Sequence, residues 1–376
     1  MIAIAKPYLT EDEAQNAYDT ILTGWITQGP RVAEFEEKFV AYTGAKYAVA
    51  VSNCTTALHL AMIVAGIGEG DEVICPSMSY IATANSIAYT RAKPVFAEID
   101  PTNYNLDIHD TEKRITDKTK AILLVHQLGM PADIDAFKAL CKKYNLLLIE
   151  DAACAAGSAY KGLKIGSHSD IVCFSFHPRK VITTGDGGMI TTSNEDYYNR
   201  LKLLRQHGMS VNDRVRHLSK QVIFEEHVEV GYNYRLTDIQ ASVGIKQLEK
   251  LDHIVAERRI IAQKYHEAFK DIDTIRLPFE PEGCFSNYQS YSIYLKPSFP
   301  ISRNELMQRM LDLGISTRRG VMTSHREIAY LNLQGEQSLP VSEDAADRSI
   351  IIPLYYPMED NDIQFVIDSF RDLAGA

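Results

Sequence analysis

The residues best placed to do chemistry sit at the ends of short apolar runs. In FSFHPRKVITTGDGGMI (174–190) an apolar run ends at His177-Pro178, two cations follow (Arg179 and Lys180), and a Gly-Asp-Gly-Gly cluster comes next. A lysine there either faces solvent, the ordinary case, or is held beside a bound cofactor. LLLIEDAACA (146–155) ends a run in Glu150-Asp151. That acid either caps the next helix or aims a carboxylate at a protonated nitrogen, since a lone buried charge is costly. AVSNCTTALHLA (50–61) reads as strand, small polar turn and helix start. Thr55 and Thr56 there are either ordinary helix caps or part of an anion cradle of free backbone N–H groups. ICPSMSYIAT (74–83) places Tyr80 just after a strand end, where by itself it reads as a core aromatic.

Taken together these groups suit one ligand with a flat ring, a phosphate, a protonated ring nitrogen and a carbonyl that accepts an amine. Pyridoxal 5'-phosphate has all four, and it brings an electron sink that no side chain offers.

The elements that must hold them follow from periodicity. Short apolar runs at 47–52, 72–75, 94–99, 121–126, 146–150, 171–176 and 188–192 alternate with helical patterns such as TTALHLAMIVAG and DIDAFKALCKKY. This predicts a mostly parallel seven-stranded sheet with helices on both faces. The last runs lie too close together for a crossover helix, so one antiparallel strand is expected there. Ligands of such sheets bind beyond the carboxyl ends of the strands. From Leu236 to Phe269 a long helical stretch, with Asp238 near its start, leads into a smaller C-terminal α+β region containing SYSIYLK (290–296) and IIIPLYY (350–356). The expected division is a large cofactor-binding domain over 1–245 and a small domain over 246–376.

Composition narrows the classes further. The 376 residues include 39 Lys plus Arg against 49 Asp plus Glu, a net charge of −10. With no long basic run, neither nucleic acid nor a membrane surface is an expected partner. Cys54, Cys75, Cys141, Cys154, Cys173 and Cys284 form no C-x-x-C pair and no metal-ligand spacing. Several sit in apolar runs as small hydrophobes, which suggests a reducing cytoplasm, and no metal is expected. The first residues lack the pattern of a signal peptide. His217 and His227 read as surface or core histidines.

The chain resembles the DegT/DnrJ/EryC1/StrS family of pyridoxal-phosphate sugar aminotransferases, a branch of the fold-type I aminotransferases. The likeness runs from GWITQGPRVAEFEEKF through VSNCTTALHLA, GDEVICPSMSYIATANSI, IEDAACAAGSAYKG, SDIVCFSFHPRKVITTGDGGMI and GYNYRLTDIQASVGIKQLEKLD to IIIPLYYPM. The resemblance implies that Lys180 bonds to the cofactor aldehyde and then shuttles the proton. It implies that Asp151 pairs with the ring nitrogen, Tyr80 stacks on the ring, and Thr55, Thr56 and Ser175 hold the phosphate. Asn233 is implied to reach the phosphate of a partner subunit, which makes a homodimer with shared sites. Arg179 falls where the family varies. Cys54 stands where the family often has Gly, and Cys154 stands where Gln or His often contacts the cofactor; a thiol there is a weaker donor.

The implied reaction moves an amino group from L-glutamate to a nucleotide-linked keto sugar, for a cell-surface polysaccharide such as a lipopolysaccharide O-antigen or a related glycan. Trp25, Arg318, Arg319 and His325 are candidate substrate contacts, and arginine forks suit diphosphate or carboxylate oxygens. The other reading of GISTRRGVMTSHRE, which also holds Arg326, is a solvated charged loop. A pyridoxal-phosphate sugar dehydratase and a non-catalytic cofactor-binding regulator are the rival functions. Dehydratases of this family carry histidine at the lysine position, whereas this chain keeps Lys180. The regulator reading lacks a DNA-binding appendage.

Overall fold

The seven apolar runs become the seven strands of one sheet. They are β1 (Tyr47–Val51), β2 (Glu72–Pro76), β3 (Lys93–Ala97), β4 (Thr119–Val125), β5 (Leu147–Asp151), β8 (Ile171–Ser175) and β9 (Gly188–Thr192), with the two-residue strands β6 (Ala159–Tyr160) and β7 (Leu163–Lys164) between β5 and β8. The structure is a computed structural model that describes residues 1–211 and 219–376, so His217 lies outside the described residues. The sheet order is β1-β9-β8-β5-β4-β2-β3. β9 runs antiparallel to both of its neighbours, and the other pairings are parallel. Only 12 residues separate Ser175 from Gly188, too short for the crossover a parallel strand requires.

Alternating residues of each strand feed opposite faces, as the period of two demands. Ile122, Leu124, Leu148, Val172 and Phe174 pack on one side with Phe35, Phe39 and Phe176. Leu123, Ile149, Ile171 and Cys173 pack on the other with Leu58, Leu60 and Met62 of α3 (Cys54–Val64), the helix that follows α1 (Glu11–Leu22) and α2 (Pro30–Thr43). All six cysteines are free thiols.

The 32-residue helix Asp238–Phe269 runs between two cores. Ala241, Ile245, Leu248, Leu251 and Val255 belong to the first sheet's core. Ile261, Ala262, Tyr265 and Phe269 belong to a separate core, with the sheet of β10 (Ile275–Arg276), β12 (Tyr291–Leu295), β13 (Arg318–Arg319) and β14 (Ser349–Ile352). Ile2 also packs in that second core. The short strand β11 (Cys284–Phe285) pairs with β6.

Two contacts pin the long helix. Thr237 and Gln240 form a capping box at its start. The buried Asp238 carboxylate accepts from the backbone N–H groups of Gly29, Arg31 and Val32 at 2.7, 3.1 and 3.0 Å. It thereby ties the GWITQGP segment to the GYNYRLTD segment.

Candidate active site

The carboxyl end of β5 carries a buried acid. Asp151 is the last residue of that strand, and its two oxygens have separate partners: the Thr83 hydroxyl donates at 2.8 Å and the Ala153 N–H at 3.1 Å. Burial pushes its pKa above the ordinary aspartate value, while those two donors and the Lys180 charge pull the other way without cancelling it. A carboxylate held like this gains most from a cation placed beside it.

Lys180 lies in the loop between β8 and β9. Its backbone N–H donates to the His177 carbonyl at 2.8 Å, and its half-buried Nζ donates to Cys154 Sγ at 3.2 Å. Burial pulls the Lys180 ammonium down, but the facing Cys154, Cys54 and Asp151 outweigh it and hold the pKa above the usual lysine value. The same set acts on Cys54: burial and then Asp151 push its thiol well up, with Cys173 and Cys154 adding to the rise and Lys180 opposing it. The start of α3, the end of β5 and Lys180 therefore share one small space.

Two glycines make this convergence possible. Gly185 turns the chain at φ +84°, a region that disfavours any side chain. Gly188 pairs with Val51 on one side and Ser175 on the other. A Cβ on Gly188 would stand 2.5 Å from the Asn53 carbonyl carbon and oxygen, so only glycine lets β9 approach the start of α3.

At that start Asn53 caps the helix by accepting from the Thr56 N–H at 2.9 Å, and the Thr56 hydroxyl donates back to the Asn53 carbonyl at 2.8 Å. The Thr56 side chain is thus spent on the cap. Among the described residues no hydrogen bond takes up the N–H groups of Cys54 and Thr55, which form the helix's positive end. Cys54 sits in the first helical turn, a conformation any residue adopts, so its Cβ needs no accommodation. Ser175 ends β8 beside Gly188, and its hydroxyl accepts from the His177 N–H at 3.4 Å. Tyr80 follows β2 with 65% of its surface exposed.

Other candidates lie apart. Asn233 is exposed, between Tyr232 and Tyr234, whose rings stack at 4.9 Å and pack on His59. Trp25 is half-buried with its ring over Gly29. Arg318 and Arg319 are exposed on β13, with Arg319 3.8 Å from Glu327. Arg326 makes a two-point contact with Asp347 at 2.8 Å each. Arg179 is exposed, and His227 is exposed. His325 is 1% exposed, and both ring nitrogens are engaged: Nδ1 with the Ser77 hydroxyl at 2.5 Å and Nε2 with Glu343 at 3.1 Å. It joins the turn after β2 to the C-terminal region.

Thr83 and Ser79 escaped the sequence reading. Ser79 Oγ lies 2.7 Å from Thr83 Oγ1, behind the bond to Asp151. Their only sequence signal is that two hydroxyls flank Tyr80 in a strand-to-helix turn.

The donor set fits pyridoxal phosphate. Two N–H groups at a helix start and a serine at the end of β8 suit the phosphate, a buried carboxylate suits the ring nitrogen, an amine with a thiol partner suits the aldehyde, and an exposed phenol ring suits the ring face. Among the described residues no cluster of His, Cys, Asp or Glu is placed to hold a metal. No helix among them is long and apolar enough to cross a membrane.

The chain's likeness to known proteins agrees with this chemistry. GDP-perosamine synthase of Caulobacter vibrioides is 37% identical over 368 residues, covering 97% of this chain and 96% of that one. The spore coat polysaccharide biosynthesis protein SpsC of Bacillus subtilis is 36% identical over 371 residues, covering 98% and 95%. The solved structure of PseC, a Helicobacter pylori aminotransferase involved in the biosynthesis of pseudoaminic acid, superposes with a TM-score of 0.93 at 27% identity, covering 100% of this chain and 99% of that one. The profile of the DegT/DnrJ/EryC1/StrS aminotransferase family matches residues 7–371. The chain belongs to that family and is a pyridoxal-phosphate-dependent sugar aminotransferase.

Proposed function

We propose that the protein moves an amino group from L-glutamate to a keto sugar carried on a nucleoside diphosphate, in the cytoplasm, as a homodimer with shared sites. The product would serve a cell-surface polysaccharide such as an O-antigen, or a related glycan. The observation that carries the reading is the Lys180 amine, bonded to a thiol and placed with the buried Asp151 where two strand ends meet. Two relatives support the sugar side: one is named for making a GDP-linked sugar and the other for spore coat polysaccharide.

Bound pyridoxal phosphate supplies the electron sink that lets a carbon beside nitrogen lose its proton. The side chains do the rest. Lys180 would hold the cofactor through its aldehyde and, when its amine is free, would hold and move the proton as base and acid. Asp151 keeps the ring nitrogen protonated, as its buried carboxylate prefers a cationic neighbour. The Cys54 and Thr55 N–H groups, with Ser175, would hold the phosphate, and Tyr80 would serve the ring. Cys154 holds the Lys180 amine in place when it is free. Arg318 and Arg319, exposed on β13, are assigned to the sugar's diphosphate, and Trp25 to the site's mouth. His325, with both ring nitrogens engaged, acts by holding the turn after β2.

The test is a turnover screen of keto-sugar nucleotides with glutamate as donor, read by mass spectrometry. Borohydride treatment of the loaded protein should fix the cofactor on Lys180. Lys180→Ala should bind cofactor without a covalent bond and lose the half-reaction with glutamate. A peptide map showing the label on another lysine would sink the assignment.

A further inference from the structure

Behind Asp151 stands an ordered pair of hydroxyls. Thr83, in the first turn of the short helix Ala82–Ala88, donates to Asp151 Oδ2 at 2.8 Å. A carboxylate accepts only, so the Thr83 proton is committed to it. Ser79 lies 2.7 Å from the same threonine oxygen, and its hydroxyl must therefore be the donor there. The two O–H dipoles point one way, Ser79 to Thr83 to Asp151. All three residues are buried, at 3%, 2% and 4% exposure. Water cannot easily replace either bond.

We propose that Thr83, backed by Ser79, is a positioning residue that keeps Asp151 ionised and aimed at the cofactor's ring nitrogen. A buried carboxylate is favoured by donors to its charged form, and a donor that itself accepts a hydrogen bond is polarised further. Oδ2 is held by Thr83 and Oδ1 by the Ala153 N–H, so the carboxylate plane is fixed from both sides. The turn bearing these hydroxyls is itself anchored. The Ser77 hydroxyl contacts the His325 ring and accepts from the His325 backbone N–H, the Gln127 amide donates to the Met78 carbonyl, and Met78 bridges to Thr323. The residues that tune Asp151 and the residue assigned to the ring face, Tyr80, thus come from one clamped turn.

This inference rests on the reading that Asp151 pairs with the ring nitrogen, and the test separates the two. Equilibrium dissociation constants are measured for pyridoxal phosphate and for its 1-deaza analogue, in which carbon replaces the ring nitrogen and no proton can be shared. The proteins are wild type, Thr83→Val, Thr83→Ser, Ser79→Ala and Asp151→Asn. Thr83→Val keeps shape and removes the donor. It should weaken pyridoxal phosphate by about tenfold, the scale of one hydrogen bond to a charged group, and leave the analogue unchanged. Thr83→Ser should restore wild-type binding, and Ser79→Ala should show a smaller loss of the same selectivity. Thr83→Val weakening both ligands equally would mean a merely structural role. No change with either ligand would mean no role. Both results overturn the proposal, provided Asp151→Asn selectively weakens pyridoxal phosphate. If Asp151→Asn shows no selectivity, the pairing of Asp151 with the ring nitrogen fails, and this inference falls with it.

Discussion

In the proposed site, burial of the Asp151 carboxylate costs the cofactor-free protein stability, and the ring cation of bound cofactor would offset that cost. Burial raises its folded pKa above the unfolded value of about 3.9. The sign follows from proton linkage. The folded state binds this proton more tightly than the unfolded state does. The cost is absent below the unfolded pKa, grows as pH rises from there to the folded pKa, and is constant above it. Asp151→Asn should therefore raise the melting temperature of the cofactor-free protein at pH 8 and leave it nearly unchanged at pH 4. With cofactor bound the order should reverse, because the ring cation gives the wild-type carboxylate its partner. The variant should also slow transamination by orders of magnitude. Calorimetry of both proteins, with and without cofactor, checks the ranking, and a cofactor-free variant no more stable than wild type at pH 8 would refute it. Asp151 and Lys180 stand out in the sequence as charges at or just beyond the ends of apolar runs, but the residues alone left a helix-capping acid and a solvent-facing lysine open, and the family resemblance supplied their expected roles. Thr83 was not, because its bond spans 68 positions and nothing local distinguishes a tuning threonine from a helix-start threonine. His325 was equally opaque: the sequence offered it as a substrate contact or as part of a solvated charged loop, and its burial comes with a contact to Ser77, 248 positions away.

Among the elements, the strands were legible in proportion to their length. The seven sheet strands, of five to seven residues each, announce themselves as apolar runs, and the short gap before β9 forced its antiparallel course. The two-residue strands β6, β7 and β11 have no periodicity to read. The glycine cluster was legible as a turn at Gly185, but Gly188 serves a different end, since it clears the way for the start of α3. Gly188→Ala should push Asn53 and the first turn of α3 away from β9. Overpacking against backbone costs about 1–3 kcal/mol, measurable as a lower denaturant midpoint with an unchanged slope. The displaced N–H groups of Cys54 and Thr55 should weaken pyridoxal phosphate more than pyridoxal, which lacks the phosphate. Equal loss for both ligands would remove α3 from the phosphate site.

For the whole molecule, the open question is how many chains build one site. Asn233 is exposed and held in an extended segment by bonds from the Tyr232 and Tyr234 N–H groups to the Leu204 and Arg205 carbonyls. Nearby in sequence, Val222, Phe224, Val228 and Val230 are strongly exposed, an apolar surface that association between copies would cover. Asp238 ties this segment to the residues around Trp25, so both would reach a partner together. In the proposed dimer each site takes Lys180 from one chain and Asn233 from the other. Mixing inactive Lys180→Ala chains with inactive Asn233→Asp chains, whose carboxylate repels phosphate, tests this. If sites are shared, a mixed dimer has one site with both lesions and one with neither, so activity reappears on subunit exchange. The maximum is one intact site per mixed dimer, a quarter of the wild-type activity for an equal, random mixture. If Asn233 serves its own chain, every site keeps one lesion and exchange recovers nothing. Native mass spectrometry that shows mixed dimers without any return of activity would assign Asn233 to its own turn and leave each chain with a complete site.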